Sequence, residues 1–227
     1  MISLETSQEF VIVDFDRTLV DSDKLLEVFI EVAGEFVEIP AEQIEAADRD
    51  VKLRGDSFDT ASFVRDYLNR DGKLDHWDKL TKKFIHDSRA LNYLLPGALE
   101  LLNYLQHNKI NHGILTYGNP LWQHLKLSAA GFNHVPRIVM ENKEKGRFVA
   151  NWRLEDGQYK LPAEYGGGTV KNVVLVDDKA VSFADLPEEG ARGIWVLDSA
   201  NELPSQVGIV PENVRRVSTL ADVLNLL

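Results

Sequence analysis

The chain has 227 residues, no cysteine and a formal net charge of -11. That length holds one large domain, or one domain with a smaller one inserted, and it buries a core without disulfide or metal staples. Without cysteine there is no disulfide framework, thiolate metal site or cysteine nucleophile. The acidic balance, with no Lys/Arg run, excludes a protein built to hold a phosphate backbone, so no nucleic-acid partner is expected.

Hydrophobic residues at 44% and charged residues at 27% describe a globular chain rather than a disordered one. The start, Met1 to Glu5, has no basic region leading into an apolar stretch, and no run approaches a membrane span. The expectation is a soluble cytoplasmic protein without a membrane partner, monomeric or homodimeric.

In chain order, the first strong element is Phe10-Val11-Ile12-Val13-Asp14, whose apolarity is continuous rather than alternating. A strand covered on both faces reads that way. Gly113 to Thr116 and Val173 to Asp177 have the same character, with shorter candidates at Arg137 to Met140 and Gly193 to Leu197. Helical spacing places Leu99, Leu102 and Leu105 on one face over 98–108, after the Pro96-Gly97 turn. A second helix over 120–130 opens with Asn119 as N-cap and Pro120 at its first position, with Leu121, Leu125, Ser128 and Ala129 on one side. Strands alternating with such helices predict an α/β, Rossmann-like, mostly parallel sheet with helices on both faces. The glycine triplet Gly166 to Gly168 reads as a flexible loop before the Val173 strand.

The stretch 20–92 breaks this rhythm. It has no strand, but amphipathic runs at 23–33, 41–48, 57–69 and 75–90. One crossover helix does not need so much chain. The economical reading is an inserted all-helical cap domain over 20–92, with the α/β core domain formed by 1–19 and 93–227.

Three strand ends carry the chemistry. Asp14 and Asp16 leave the first strand two residues apart, so an extended chain points both carboxylates to one side. The competing reading makes them turn and cap residues, which Asp favours at strand exits. Thr116-Tyr117-Gly118-Asn119 ends the second strand and runs directly into a helix, whose free amides suit an anion. Asp177-Asp178 ends the third. Ligands bind at this edge of an open α/β sheet, and carboxylates converging there require a cation. All-oxygen ligation points to magnesium.

This combination resembles the haloacid dehalogenase-like hydrolase superfamily, in its magnesium-dependent phosphatase branch with a helical cap after the first motif. The Asp-x-Asp-x-Thr signature is present as Asp14, Asp16 and Thr18, with Arg17 in place of the motif's middle glycine. Thr116 matches the second motif. The resemblance implies that Asp14 is the nucleophile that forms an aspartyl-phosphate, and that Asp16 protonates the leaving oxygen and then activates water. Asp14, the Asp16 carbonyl and Asp178 are implied as Mg2+ ligands, with Asp177 beside them. Substrate contacts are implied for Arg17, Thr18, Tyr117, Gly118, Asn119 and Lys143. The third-motif lysine is either Lys145 or Lys143; Lys145 is favoured because Arg147 to Ala150 reads as helix and would place it in the first turn.

The function so implied is hydrolysis of a small phosphorylated metabolite, a phosphomonoester. Dehalogenases attack carbon and need no acid at the position of Asp16, so they are disfavoured. A sugar phosphomutase of the same superfamily is the runner-up, and a catalytically silent binding protein the other alternative. The tryptophans Trp77, Trp122, Trp152 and Trp195 read as packing groups, and the histidines show no metal-ligand spacing, with His107 and His112 as surface or helix-end residues. In the insert, Lys24, Arg54 and Arg89 are cations that could reach substrate.

Overall fold

The computed structural model describes residues 8–53, 57–197 and 210–227. The readings made of Met1 to Glu5 and of Arg54 therefore lie outside the described residues.

The core is one six-stranded sheet. In chain order its strands are β1 (Glu9–Val13), β2 (Asn111–Tyr117), β3 (Arg137–Met140), β6 (Asn172–Asp177), β7 (Ala191–Val196) and β8 (Val214–Val217). Their spatial order is β3-β2-β1-β6-β7-β8, and every pairing is parallel. Among the described residues two further strands, β4 (Tyr159–Lys160) and β5 (Thr169–Val170), form a separate antiparallel ribbon.

The continuous apolarity of β1 is explained by burial on both faces. Val11 and Val13 join one hydrophobic cluster, while Phe10 and Ile12 join the other. Helices cover these faces, with α5 (Ala98–His107), α6 (Pro120–Ala129) and α8 (Leu220–Val223) on the first, and α7 (Lys145–Ala150) with one turn after β6 on the second. The ribbon and Trp152, Tyr159 and Tyr165 complete the second face. Helices thus flank both faces, but a ribbon replaces much of the helical cover on one.

Between β1 and α5 the chain builds the all-helical insert: α1 (Ser22–Gly34), α2 (Ala41–Leu53), α3 (Thr60–Arg70) and α4 (Trp77–Arg89). Local chemistry sets the starts. Asp21 caps α1 by accepting from the Lys24 amide, and Asp59 caps α3 by accepting from Ser62. Leu25 and Phe29 of α1, Val64 and Leu68 of α3, and Leu80 and Phe84 of α4 are fully buried. The insert packs onto the sheet domain through α4 against α6, where Phe29, Phe84 and Trp122 meet with centroids 4.7 to 5.8 Å apart.

This junction changes the expected face of α6. Leu121 and Leu125 are only partly buried, while Trp122, Gln123, Lys126 and Leu127 turn inward. The reason is tertiary: the insert buries a side of α6 that hydrophobic spacing alone does not mark. The edge strand β8 carries no sequence signal either, because Arg215 and Arg216 disguise a short strand; Arg216 lies over the Trp195 ring at 4.5 Å. Gly166, Gly167 and Gly168 all have positive φ, at 90°, 68° and 83°. The triplet is therefore a left-handed turn that L side chains rarely adopt, leading into β5.

From β1 the chain moves outward to β2 and β3, then returns to β6 on the other side of β1. The sheet's direction reverses there, and a crevice opens beyond the strand ends. At its floor the Asp14 amide donates to the Val176 carbonyl at 2.9 Å, tying the tips of β1 and β6 together.

Candidate active site

Asp14, one residue beyond β1, is almost fully buried and held from two sides. Thr18 Oγ1 donates to its Oδ2 at 3.0 Å, and the Lys145 ammonium pairs with Oδ1. Lys145 also pairs with Asp177 and is only 3% exposed. It is the first residue of α7, as the sequence suggested. The next residue must be small: a Cβ on Gly146 would lie 2.2 Å from the Ala184 carbonyl oxygen, so glycine lets the start of α7 approach the segment after β6. Lys143 lines the same pocket, but its ammonium lies 5.3 Å from the centroid of the Tyr117 ring.

Asp177 Oδ1 accepts from the Lys179 amide at 2.8 Å, so this side chain is committed to its own turn and to Lys145. Asp178 differs. Its main-chain carbonyl is fixed by the Trp195 indole N–H at 3.0 Å, yet its Oδ1 is buried without a partner. One carboxylate oxygen from each of Asp14, Asp177 and Asp178 falls within 4.8 Å of the others, the sole such acidic or histidine cluster among the described residues. An orphaned carboxylate oxygen in an all-oxygen donor set fits a hard divalent cation.

The electrostatics agree with that reading. Burial pushes the Asp178 carboxyl up to about 8, with Asp14 and Asp177 adding to the shift. Burial likewise raises Asp14, to about 6; Lys145 opposes this, and Asp177 and Asp16 reinforce it. For Lys145, burial disfavours the charge, but Asp14 and Asp177 outweigh it and hold the ammonium above its ordinary range.

Asp16 lies two residues on, at the mouth. Burial pushes its carboxyl up, but the Lys126 charge and donors from Lys126, Ser22 and Gln123 hold it below the ordinary carboxylate value. Thr116, fully buried at the end of β2, reaches Asp16 Oδ2 at 3.5 Å. Asn119 caps α6 by accepting from the Leu121 amide at 3.1 Å.

The structure therefore brings Asp14, Asp16, Tyr117, Lys143, Lys145 and Asp177 around one cavity, with Asp178 beside Asp14. Thr18 faces Asp14 rather than the open space. Arg17 takes a left-handed φ of 62°, the conformation a glycine adopts without strain, and its guanidinium pairs with Asp23 at 3.1 Å in solvent. Lys24 is likewise turned away, donating to the Asn92 carbonyl at 2.8 Å. Gly118 and Asn119 line a wider cleft of about 500 Å³ that shares Tyr117 with the cavity and is faced by Phe58 and Phe63 of the insert. Ser22, Gln123 and Lys126 were missed by sequence reasoning. The readable signal was a Gln and a Lys three apart on a helix that opens at a strand-end anion corner.

With this geometry in view, residues 11–146 match the sequence profile of haloacid dehalogenase-like hydrolase. The chain belongs to that family. No curated protein matches it. Among solved structures, a candidate haloacid dehalogenase-like hydrolase from Burkholderia xenovorans LB400 aligns with a TM-score of 0.65 and 17% identity over 97% of both chains. A HAD phosphatase from Thermococcus onnurineus aligns with a TM-score of 0.60 and 17% identity, covering 96% of this chain and 97% of that one. The candidate HAD-hydrolase YfnB from Bacillus subtilis, bound to magnesium, gives 0.53 and 14% identity over 98% and 99%. At these identities the likeness concerns the fold. The family assignment makes the chain a hydrolase of this class, with a buried aspartate cluster suited to catalysis, and no helix among the described residues is long and apolar enough to cross a membrane.

Proposed function

We propose that this protein is a cytoplasmic, magnesium-dependent phosphatase that hydrolyses small phosphomonoesters through an aspartyl-phosphate on Asp14. The observation that carries the reading is the pairing of Asp14 with a second aspartate two residues on. Asp14 is oriented by Thr18 and Lys145 beside the unpartnered Asp178 oxygen, and Asp16 stands at the mouth.

In this reading, one Asp14 oxygen attacks phosphorus in line, and the bond to the leaving oxygen breaks. Asp16 gives that oxygen a proton, then takes one from the water that cleaves the aspartyl-phosphate and releases inorganic phosphate. An Asp16 carboxylate held ionised suits the second step directly and must gain a proton before the first. Lys145 and the amides entering α6 at Gly118 and Asn119 would hold the phosphoryl oxygens. Asp14, Asp178 and the Asp16 carbonyl would hold Mg2+, which supplies charge neutralisation when bound. Asp16 argues against carbon–halogen cleavage, where the departing halide requires no acid.

The insert, proposed as a cap domain spanning 20–92, faces the strand ends across the cleft of Phe58, Phe63 and Tyr117. The alcohol portion of the substrate would occupy that cleft, which limits the size of what enters. The test is a screen of sugar phosphates, nucleoside monophosphates and short alkyl phosphates for phosphate release, with and without magnesium. Magnesium-dependent release is expected. Its absence across the whole panel at high protein concentration would overturn the reading in favour of a silent binding protein.

A further inference from the structure

Asp16 is held by more groups than a proton-transferring carboxyl requires. Its Oδ1 accepts from Ser22 Oγ at 2.6 Å and pairs with the Lys126 ammonium. Its Oδ2 accepts from Gln123 Nε2 at 2.7 Å and, more weakly, from Thr116 Oγ1 at 3.5 Å. An ionised carboxylate offers about four acceptor sites, so these donors nearly saturate it. They come from the insert's first helix, from β2 and, twice, from α6.

Gln123 and Lys126 are three residues apart and share a face of α6. The Gln123 amide spans two acceptors: Nε2 donates both to Asp16 and to the Tyr117 carbonyl, each at 2.7 Å. Reversing the amide would set oxygen against oxygen on both sides, so its orientation is fixed. The consequence is that Oε1 is buried without a partner. Gly118 makes the arrangement possible, since a Cβ there would lie 2.5 Å from Nε2. Lys126 is 5% exposed, with its ammonium 5.9 Å from the Phe15 ring centroid and 5.6 Å from that of Trp122.

Neither feature is explained by folding alone. An apolar residue between Phe15 and Trp122 would pack without the desolvation cost of a buried ion pair, and one at 123 would leave no orphaned oxygen. Both polar groups converge on the same carboxylate. We propose that Gln123 and Lys126 are positioning residues that act through Asp16, with α6 setting the direction of its carboxyl and Ser22 adding a tie from the insert. The inference rests on the phosphatase reading, in which Asp16 exchanges protons with the leaving oxygen and with water. Because two of the strong ties come from the core domain, displacement of the insert would remove only the Ser22 contact.

The experiment uses the full chain with magnesium, comparing Lys126→Met and Gln123→Leu in the wild-type and Asp16→Asn backgrounds. With an alkyl phosphate, each variant is expected to lose about 10²-fold in kcat, the scale of a general acid–base contribution, with KM little changed. With 4-nitrophenyl phosphate, whose leaving group departs without a proton, the rapid-quench burst is expected to survive while dephosphorylation slows. In the Asp16→Asn background, either substitution should slow dephosphorylation by no more than about twofold further, because the residue acted upon is already disabled. A rapid-quench burst with 4-nitrophenyl phosphate slowed as much as turnover of the alkyl phosphate, or undiminished losses in the Asp16→Asn background, would overturn the inference and mark both side chains as structural. If Lys126→Met does not fold, Gln123→Leu decides, since it removes an orphaned oxygen and leaves the ammonium in place. Wild-type turnover that falls with Asp16→Asn but not with either α6 variant refutes the clamp alone. A wild-type protein inactive on every phosphomonoester refutes the phosphatase reading and the clamp together.

Discussion

Replacing Lys145 with methionine removes the ammonium that bridges Asp14 and Asp177 while nearly preserving its volume. Both carboxylates are buried, Asp14 at 4% and Asp177 at 0% exposure, so neither recovers water when the ammonium goes. Breaking a buried pair by deleting one partner costs about 3–5 kcal/mol. For a chain of this size that corresponds to a melting temperature lower by roughly 6–20 °C. The loss should depend on pH. Asp14 titrates near 6 in the intact site, and its pKa should rise further without Lys145. A carboxyl raised in the folded state favours folding below its unfolded value and loses that contribution as pH rises through the folded value. The variant's penalty should therefore be largest above pH 7 and shrink by about 1–2 kcal/mol near pH 5, where Asp14 takes up a proton. Thermal unfolding of both proteins in chelator at pH 5 and pH 7.5 measures this. Activity with magnesium should fall about 10²-fold or more, whereas Lys143→Met, whose ammonium lies against Tyr117, should cost only a few-fold. A pH-independent penalty under about 1 kcal/mol, or the reverse ranking of the two lysines in turnover, would refute the reasoning.

The acid–base assignment is checked by Asp16→Asn, which should still become phosphorylated by 4-nitrophenyl phosphate but release phosphate about 10²–10⁴-fold more slowly. Intact mass after rapid quench should show the added phosphoryl group on Asp14, and finding it on a serine, threonine or histidine contradicts the mechanism. Magnesium should raise the melting temperature more at pH 8.5 than at pH 5, because Asp178, pushed up to about 8, destabilises the metal-free fold as pH rises through that value; a gain that is flat with pH counts against the cation site. Turnover of an intact phosphoprotein at rates comparable with small esters would remove the argument from the insert, and conversion of a sugar phosphate to its isomer faster than phosphate release would favour a mutase.

Much of this protein is determined locally. Unbroken apolar runs at 10–13 and 173–176 announce strands buried on both faces, because only a doubly covered strand tolerates apolarity on every side chain. Asp21, Asp59 and Asn119 cap the helices that follow them through bonds two or three residues away. The Asp14-x-Asp16-x-Thr18 spacing places two carboxylates and a hydroxyl at a strand exit before anything is known of the strand's neighbours. Lys145 could be favoured over Lys143 because it opens α7, a local property, whereas its contact with Asp14, 131 residues away, is made only by the fold.

What the sequence left open depends on contacts between distant segments. The inward face of α6 is chosen by the insert, since Phe29 and Phe84 claim Trp122 and thereby rotate Gln123 and Lys126 toward Asp16. In sequence those two residues resemble the solvated side of an amphipathic helix. The short strand β8 is likewise invisible to periodicity, because an edge strand with two arginines exists only by pairing with β7. Local spacing decides where side chains leave the backbone, but the partner of a buried charge is decided by packing, since only the assembled interior removes the water that would otherwise hold it.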